Sequence, residues 1–543
     1  MSLIKNFASV GGATLLSRLL GFARDIMMAG ILGAGPVADA FVAAFRLPNM
    51  FRRILAEGVF NTAFIPLFAK ALEQKGEEEA RRFSANIVSS LIYILLALTL
   101  LAEIFMPQLI LVLTTGFADD QQKFDLTVLL ARICFPYLAC MSLMAAYGAI
   151  LNGLRKFFLA ALAPTLLNVV LVAVLGYLVF VAHDTRFAAI VISCGVLVGG
   201  IAQIGLVAWA LKQTGFFPGL TVPKIDNDLK KFWALAIPAI LTGGVTQINI
   251  LVGTNIASSQ ESAIAYLYYA DRLYQLPLGM IGIAIGIVLL PELSRLLKSG
   301  EQQKAANVQS KSLFFGLMLT LPAAVGLYVI ANPLLVTLFQ RGAFDGQAAN
   351  QSAQALQVFA LGLPAFVLVK VFQPSYFARE DTRTPAIFAA VSVVLNIGFS
   401  LLLFPRLGHV GIAWATTISG WANVIMLIMT LAFWRELMLP LSALGRTFSL
   451  MAISAIMGAI LYFAADFLSP QFVVEQFPLW WRASALSVLV FVGAGSYFFL
   501  LHLFGIQRLF TTTQIKRRLL HFPAEQAAQP ARNEYRFAAN RVP

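Results

Sequence analysis

Arg18, Arg24, Arg46, Arg52, Arg53 and Arg272 stand inside or at the edge of stretches otherwise apolar enough to cross a bilayer. A charge at membrane depth costs about 2.5 to 3.5 kcal/mol on insertion scales, so such residues normally face a cavity and mark a substrate path. Six cations point to an anionic substrate, and arginine suits phosphate because its planar fork offers bidentate, charge-assisted hydrogen bonds. Arg18 and Arg24 are less than two helical turns apart and can converge on one cavity wall. Asp25 can satisfy one of them, so the competing reading is a structural ion pair.

The second apolar stretch reads AFRLPNMFRRILAEGVFNTAFIP over 44–66. Pro48 removes a backbone hydrogen bond and is expected to break or kink the helix. Freed carbonyls inside a membrane must meet protein or water, which again indicates a cavity. Arg52 follows the break and is assigned to substrate; Arg53 with Glu57, one turn on, forms a supporting pair. The alternative is that both arginines snorkel to the interface. Tyr268-Tyr269-Ala270-Asp271-Arg272-Leu273 repeats the arrangement, with Pro277 matching Pro48 and Asp271 beside the sixth arginine. Interrupted helices at matching positions in two halves are the best sequence pointer to a transporter's binding site. Asp39 and Lys370 are candidates for tuning the cavity or closing a gate, against an interfacial reading, and Arg132 is ambiguous between the two.

What must position these residues is a helical membrane scaffold. The 543-residue chain is 59% hydrophobic and only 12% charged, too little polar surface to cover a water-soluble globule. Its apolar runs approach the twenty or so residues that span a bilayer as helix, and alternating strand patterns are missing. The fold class is an all-α polytopic membrane protein with about 14 spans. No signal peptide is evident, so the first span is expected to be retained. Cys134, Cys140 and Cys194 fall within predicted helices and read as packing residues, with no disulfide. Loops on one side carry 19 Lys and Arg against five on the other, which places both termini in the cytoplasm. The net charge of +13 is thereby explained without a nucleic-acid footprint.

A faint internal repeat is offset by about 226 residues: Arg46-Leu47-Pro48 answers Arg272-Leu273 with Pro277, and Arg155 through Asn168 answers Arg383 through Asn396. An offset of six helices returns the chain to its starting side, so the halves are expected to be related by a pseudo-two-fold along the membrane normal. The divisions are 1–218 for the first lobe, 219–440 for the second, 441–510 for two extra helices, and 511–543 for a polar, basic tail expected to be disordered. The two extra helices either hold a lipid tail or pack against bulk lipid. There is no P-loop, HExxH or Ser-His-Asp arrangement, and no histidine has metal-ligand spacing. No catalytic residue, metal or cofactor is assigned.

Several segments resemble the MurJ (MviN) family of lipid II flippases, within the superfamily of multidrug and polysaccharide exporters. They are SRLLGFARD at 17–25, FRLPNMFRRILAEGVFNTAFIP at 45–66, GAILNGLRKFFLAALAPTLLN at 148–168 and YYADRLYQLPLG at 268–279. The resemblance extends over 1–510. It implies transport of undecaprenyl-pyrophosphate-linked disaccharide pentapeptide across the bacterial inner membrane by alternating access. It also implies pyrophosphate contacts at Arg18, Arg24, Arg52 and Arg272, and a polyprenyl groove formed with the last two helices. Partners implied are lipid II, membrane lipid and the peptidoglycan synthesis machinery. Some members carry a sodium site with an acidic residue in helix 7, where this chain has Gln247, Asn249 and Asn255; chloride near the arginines is a candidate occupant and the coupling ion stays open.

Other functions fit less well. An exporter of another undecaprenyl-linked oligosaccharide needs the same phosphate grip with a different sugar cavity. A cationic-drug exporter needs intramembrane carboxylates where this chain has arginines. A lipid-linked glycosyltransferase needs catalytic carboxylates, for which the short loop with Asp119 and Asp120 is poorly suited. A scaffold of cell-wall synthesis should tolerate loss of the cavity arginines.

Overall fold

Backbone polar groups in hydrocarbon must be satisfied within the protein, and an apolar chain without strand patterning does so as helices. The computed structural model describes residues 3–54, 63–181, 184–434, 441–474 and 476–505, and these are nearly all helical. The first half holds α1 (Leu3–Leu32), α2 (Pro36–Arg52), α3 (Ile65–Lys75), α4 (Glu77–Ile104), α5 (Met106–Leu113), α6 (Gln121–Cys134), α7 (Tyr137–Gly153), α8 (Phe157–Val181) and α9 (Thr185–Gln213). The second holds α10 (Asn227–Ser258), α11 (Ala263–Lys298), α12 (Gln302–Val329), α13 (Ala331–Leu338), α14 (Gly346–Phe377), α15 (Arg383–Leu407) and α16 (His409–Phe433), followed by α17 (Leu441–Phe467) and α18 (Leu479–Leu503). Aspartates start several of them: Asp120, Asp184, Asp226 and Asp345 accept first-turn amides of α6, α9, α10 and α14.

Among the described residues, ten helical spans are long and apolar enough to cross a membrane, with α6 and α7 counted as one. Helices α1, α2, α10 and α11 coincide with four further expected spans and lie outside that set. Three of these carry the intramembrane charges, and α2 is 17 residues long. The protein is thus a multi-pass membrane protein, while fourteen remains the count expected from sequence.

The main helix pairings stay within each half: α1 on α8, α8 on α9 and α2 on α6 in the first, α11 on α14, α12 on α14 and α15 on α16 in the second. Helix α14 is enclosed, with 78% of its apolar window buried, whereas α15 has 11% buried and faces outward. Helices α17 and α18 pack on each other and against α12 and α13, with Tyr497 donating to the Met318 carbonyl at 2.6 Å. The sequence repeat has a backbone counterpart. Arg155 and Glu380 both adopt left-handed φ just before α8 and α15, and the next amides, of Lys156 and Asp381, close back on Leu151 and Tyr376.

The prolines do not interrupt the helices. Helix α11 runs unbroken through Pro277 and Pro291, and α2 runs through Pro48. A mid-helix proline costs about 3 kcal/mol, which packing of α11 along α12 and α14 absorbs. In α2, Asn49 Nδ2 donates to the Phe45 carbonyl at 2.9 Å, next to the one that Pro48 leaves free. The departure from α-helix comes later, at the wider π-type residues 53–54 and 63–64. Glu57 lies between them, outside the described residues, as does the tail 511–543.

Candidate functional site

Asp25 is one residue on which the two halves meet. It is buried in α1, and its Oδ1 accepts from Arg24 Nη2 at 2.7 Å, Arg24 Nε at 3.0 Å and the Tyr268 hydroxyl at 3.0 Å. Arg272 Nε, from α11, stands 3.3 Å from Asp25 Oδ2 as an ion pair without hydrogen-bond alignment. The Arg272 guanidinium lies 4.5 Å from the centre of the Tyr268 ring, a cation–π contact made possible by the four-residue spacing on one helix. Arg24 is oriented from its other side, with Nη1 donating to Asn168 Oδ1 at 3.0 Å while Asn168 Nδ2 donates to the Ser17 carbonyl at 2.9 Å. One carboxylate therefore holds arginines of both halves.

The remaining predicted cations surround this centre. Tyr137 stands in the field of both Arg52 and Arg24. Asp271 stands in the field of Arg272, Arg46 and Arg53, and its carboxylate also takes the Gln275 amide. Arg46 donates to Thr254 Oγ1 of α10 at 2.6 Å, and Arg52 Nε reaches Asn49 Oδ1 at 3.4 Å. Arg18 lies against α11: a Cβ at Gly279 would come within 2.5 Å of its Nη1. Arg24, Asp25 and Arg272 thus meet directly, Arg46 and Arg53 share the field of Asp271 beside them, Arg52 shares Tyr137 with Arg24, and Arg18 borders α11 at Gly279, seven residues from Arg272. Arg272 keeps about a third of its side chain exposed.

Asp39 is elsewhere, and its surroundings were not legible in advance. It is fully buried, with Oδ2 2.8 Å from Lys123 Nζ of α6 and 2.8 Å from the Ser262 amide, and Oδ1 2.9 Å from the Ala265 amide. A carboxylate from the first half thereby caps the positive end of α11 in the second. Lys123 is buried over the Phe117 ring at 4.0 Å. Further bonds close the same end. Ala343 N donates to the Gly30 carbonyl at 2.9 Å, Tyr269 OH to the Gly33 carbonyl at 3.0 Å, and Gly116 N to Ser258 Oγ at 2.9 Å. Gly33 and Gly342 have left-handed φ and touch the opposing backbone, so a side chain at either would hold the chains apart. Asn255 joins this closure by donating to the Val112 carbonyl at 2.9 Å.

Lys370 Cγ would lie 3.6 Å from a Cβ at Gly282, one turn along α11 from the Arg18 contact. The three cysteines are free thiols. Among the described residues no cluster of His, Cys, Asp or Glu has the makings of a metal site.

A bundle of membrane helices whose halves converge on a buried cationic constellation, closed at one end by interlocking backbone, defines a carrier-type membrane transporter. A solved multidrug resistance MATE family transporter of the MOP superfamily, in its inward-facing conformation, shares the fold: TM-score 0.64 at 15% identity, covering 80% of this chain and 95% of that one. A lipid II flippase MurJ in an inward closed conformation superposes with TM-score 0.77 at 25% identity, covering 92% of this chain and 99% of its own. Residues 28–481 match the family Lipid II flippase MurJ. A probable lipid II flippase MurJ of Rhizobium meliloti (strain 1021) is 48% identical over 499 residues, 92% of this chain and 93% of the relative. A lipid II flippase MurJ of Burkholderia cenocepacia is 31% identical, covering 79% and 84%. The chain belongs to the MurJ family, and it is a transporter and not an enzyme.

Proposed function

We propose that this protein is a lipid II flippase, moving the undecaprenyl-pyrophosphate-linked peptidoglycan precursor from the inner to the outer leaflet of the bacterial cytoplasmic membrane. The observation that carries the reading is the sharing of Asp25 by Arg24 and Arg272, from opposite halves. A pyrophosphate brings several oxygens to guanidiniums that hold a single carboxylate between them, so substrate can displace Asp25 and bridge the halves more strongly than the resting pair does. Arg18 and Arg52 then bear on the same phosphates, with Arg46, Arg53 and Asp271 setting the surrounding field. Chloride is the natural occupant of the arginines between cycles.

In this reading residues 1–218 and 219–440 are lobes that rock about the bound phosphates. Helices α17 and α18, within 441–510, offer a groove for the polyprenyl tail. Both termini are cytoplasmic, as the lysine-rich loops require, so the Asp39 closure faces the periplasm and must open for release. Pro48 places the softer turn at Arg53 next to substrate, where α2 can flex as the lobes move. Partners are lipid II, bilayer lipid and enzymes of peptidoglycan synthesis, with no role for nucleic acid.

The test is reconstitution of the full chain in vesicles carrying either lipid II or an undecaprenyl pyrophosphate bearing an unrelated oligosaccharide, read by an impermeant reagent that modifies outward-facing headgroups. Protein-dependent exposure of lipid II alone supports the assignment. Equal exposure of both lipids points to a general oligosaccharide-lipid exporter, and exposure of neither overturns the transport reading.

A further inference from the structure

Away from the arginines, a cavity of about 760 Å³ lies where α4, the segment joining the two halves, and the start of α10 meet. Its volume is in the range of small-molecule sites, roughly 300–1,000 Å³. Tyr93 of α4, Val222 and Ile225 of the segment, and Trp233 of α10 make its wall apolar, and Lys230 stands at its edge. The segment is held open by side chains of α4. Asn86 accepts from the Lys224 amide and donates to the Lys224 carbonyl, both at 2.8 Å, and Ser89 Oγ accepts from the Thr221 amide at 2.9 Å. Held this way, Leu220, Val222 and Ile225 turn outward, 69%, 76% and 79% exposed, an apolar row of the kind that marks a membrane or partner contact.

The charges at the rim are unequally satisfied. Asp226 is spent on the Leu229 amide at 2.7 Å and on Asn86 at 3.1 Å, and Asp228 pairs with Lys75 at 3.0 Å. Lys224 and Lys230 are exposed and have no ion pair among the described residues. An apolar groove lined by a tryptophan and the unpaired Lys230, with the unpaired Lys224 between two of its lining residues, Pro223 and Ile225, matches an acyl chain capped by a negative headgroup. We propose that this groove is a binding site for an anionic glycerophospholipid of the lysine-rich leaflet, with one acyl chain between α4 and α10 and the phosphate on Lys230 and Lys224. The bound lipid fastens the stretch between α9 and α10, the covalent link between the halves, to the bilayer surface while the halves move.

Trp233 reports on the site directly. In vesicles of phosphatidylcholine, the full chain is titrated with phosphatidylglycerol brominated on its acyl chains, and separately with brominated phosphatidylcholine. Subtracting the fluorescence of Trp233→Phe isolates the groove's quenching. Each lysine near the headgroup favours the anionic lipid about fivefold. Half-quenching should therefore come at a mole fraction at least about fivefold lower for phosphatidylglycerol. Lys230→Glu should remove most of that preference and Lys230→Arg keep it. Equal quenching by the two lipids, or a preference unchanged in the Lys224→Glu/Lys230→Glu variant, overturns the proposal. Displacement of brominated phosphatidylglycerol by an equimolar polyprenyl phosphate would reassign the groove to the carrier lipid and overturn it too.

Discussion

Replacing Asp25 by asparagine keeps the shape of the side chain and removes the charge that Arg24 and Arg272 share. Removing one partner of a buried ion pair costs about 3–5 kcal/mol, because the other is left uncompensated. Arg24 keeps 12% of its side chain exposed and pays nearly in full, whereas Arg272, at 34%, is partly screened by solvent. The amide oxygen can still accept from Tyr268 OH, so the low end, about 3 kcal/mol, is appropriate. At 1.4 kcal/mol per factor of ten, the ratio of closed to open forms falls about 100-fold. Spin labels at the exposed Gln122 and Gln347, near the Asp39 closure, read that ratio as a distance distribution. The native chain should give one short distance, and Asp25→Asn should add a longer population that phosphate-bearing substrate shifts back. An unchanged distribution, with loss only of overall thermal stability, would mean that Asp25 is structural and does not govern the meeting of the halves.

Lys123→Ala should strand Asp39 and lower thermal stability by about 3 kcal/mol, whereas Asp39→Asn with Lys123→Met should recover most of it; a double variant as unstable as the single would deny their coupling. Gly279→Leu should displace the Arg18 guanidinium, which lies where its Cβ would go, and reduce lipid II exposure as far as Arg18→Ala does at matched membrane levels. Full activity would remove Arg18 from the site. In the loop before α15, the amides of Thr384 and Arg383 hold the Asp381 carboxyl below its usual range. Its contribution is therefore present above the unfolded value of about 3.9 and lost as pH falls through the lower folded value. Thermal midpoints of Asp381→Asn and the native chain should differ at neutral pH and converge once the pH has fallen through the lowered folded value; a constant gap would assign the effect to shape.

The arginine constellation was legible because charge inside an apolar run is costly wherever the run folds, and Arg24, Asp25 and Arg272 do come together. Their orienting partners were visible as letters without roles: Asn168 marked the repeat, and Tyr268 stood four residues before Arg272. Lys123 was hidden because three residues past a turn reads as loop, and only the fold shows that Asp39 needs a cation there. Proline misled in the opposite direction. Its local cost is certain, yet neighbouring helices decide whether a helix breaks, so α11 passes Pro277 intact and α2 yields at Arg53. The bond between Gly30 and Ala343 joins segments far apart in sequence, and no local pattern announces it.

The central claim is that arginines from both halves carry the pyrophosphate of lipid II. It is tested most directly by measuring lipid II at the periplasmic face of cells depleted of their own flippase and supplied with this protein or with Arg272→Ala at equal membrane levels. The account predicts restored exposure with the native chain and none with the variant. Equal restoration by both would contradict it.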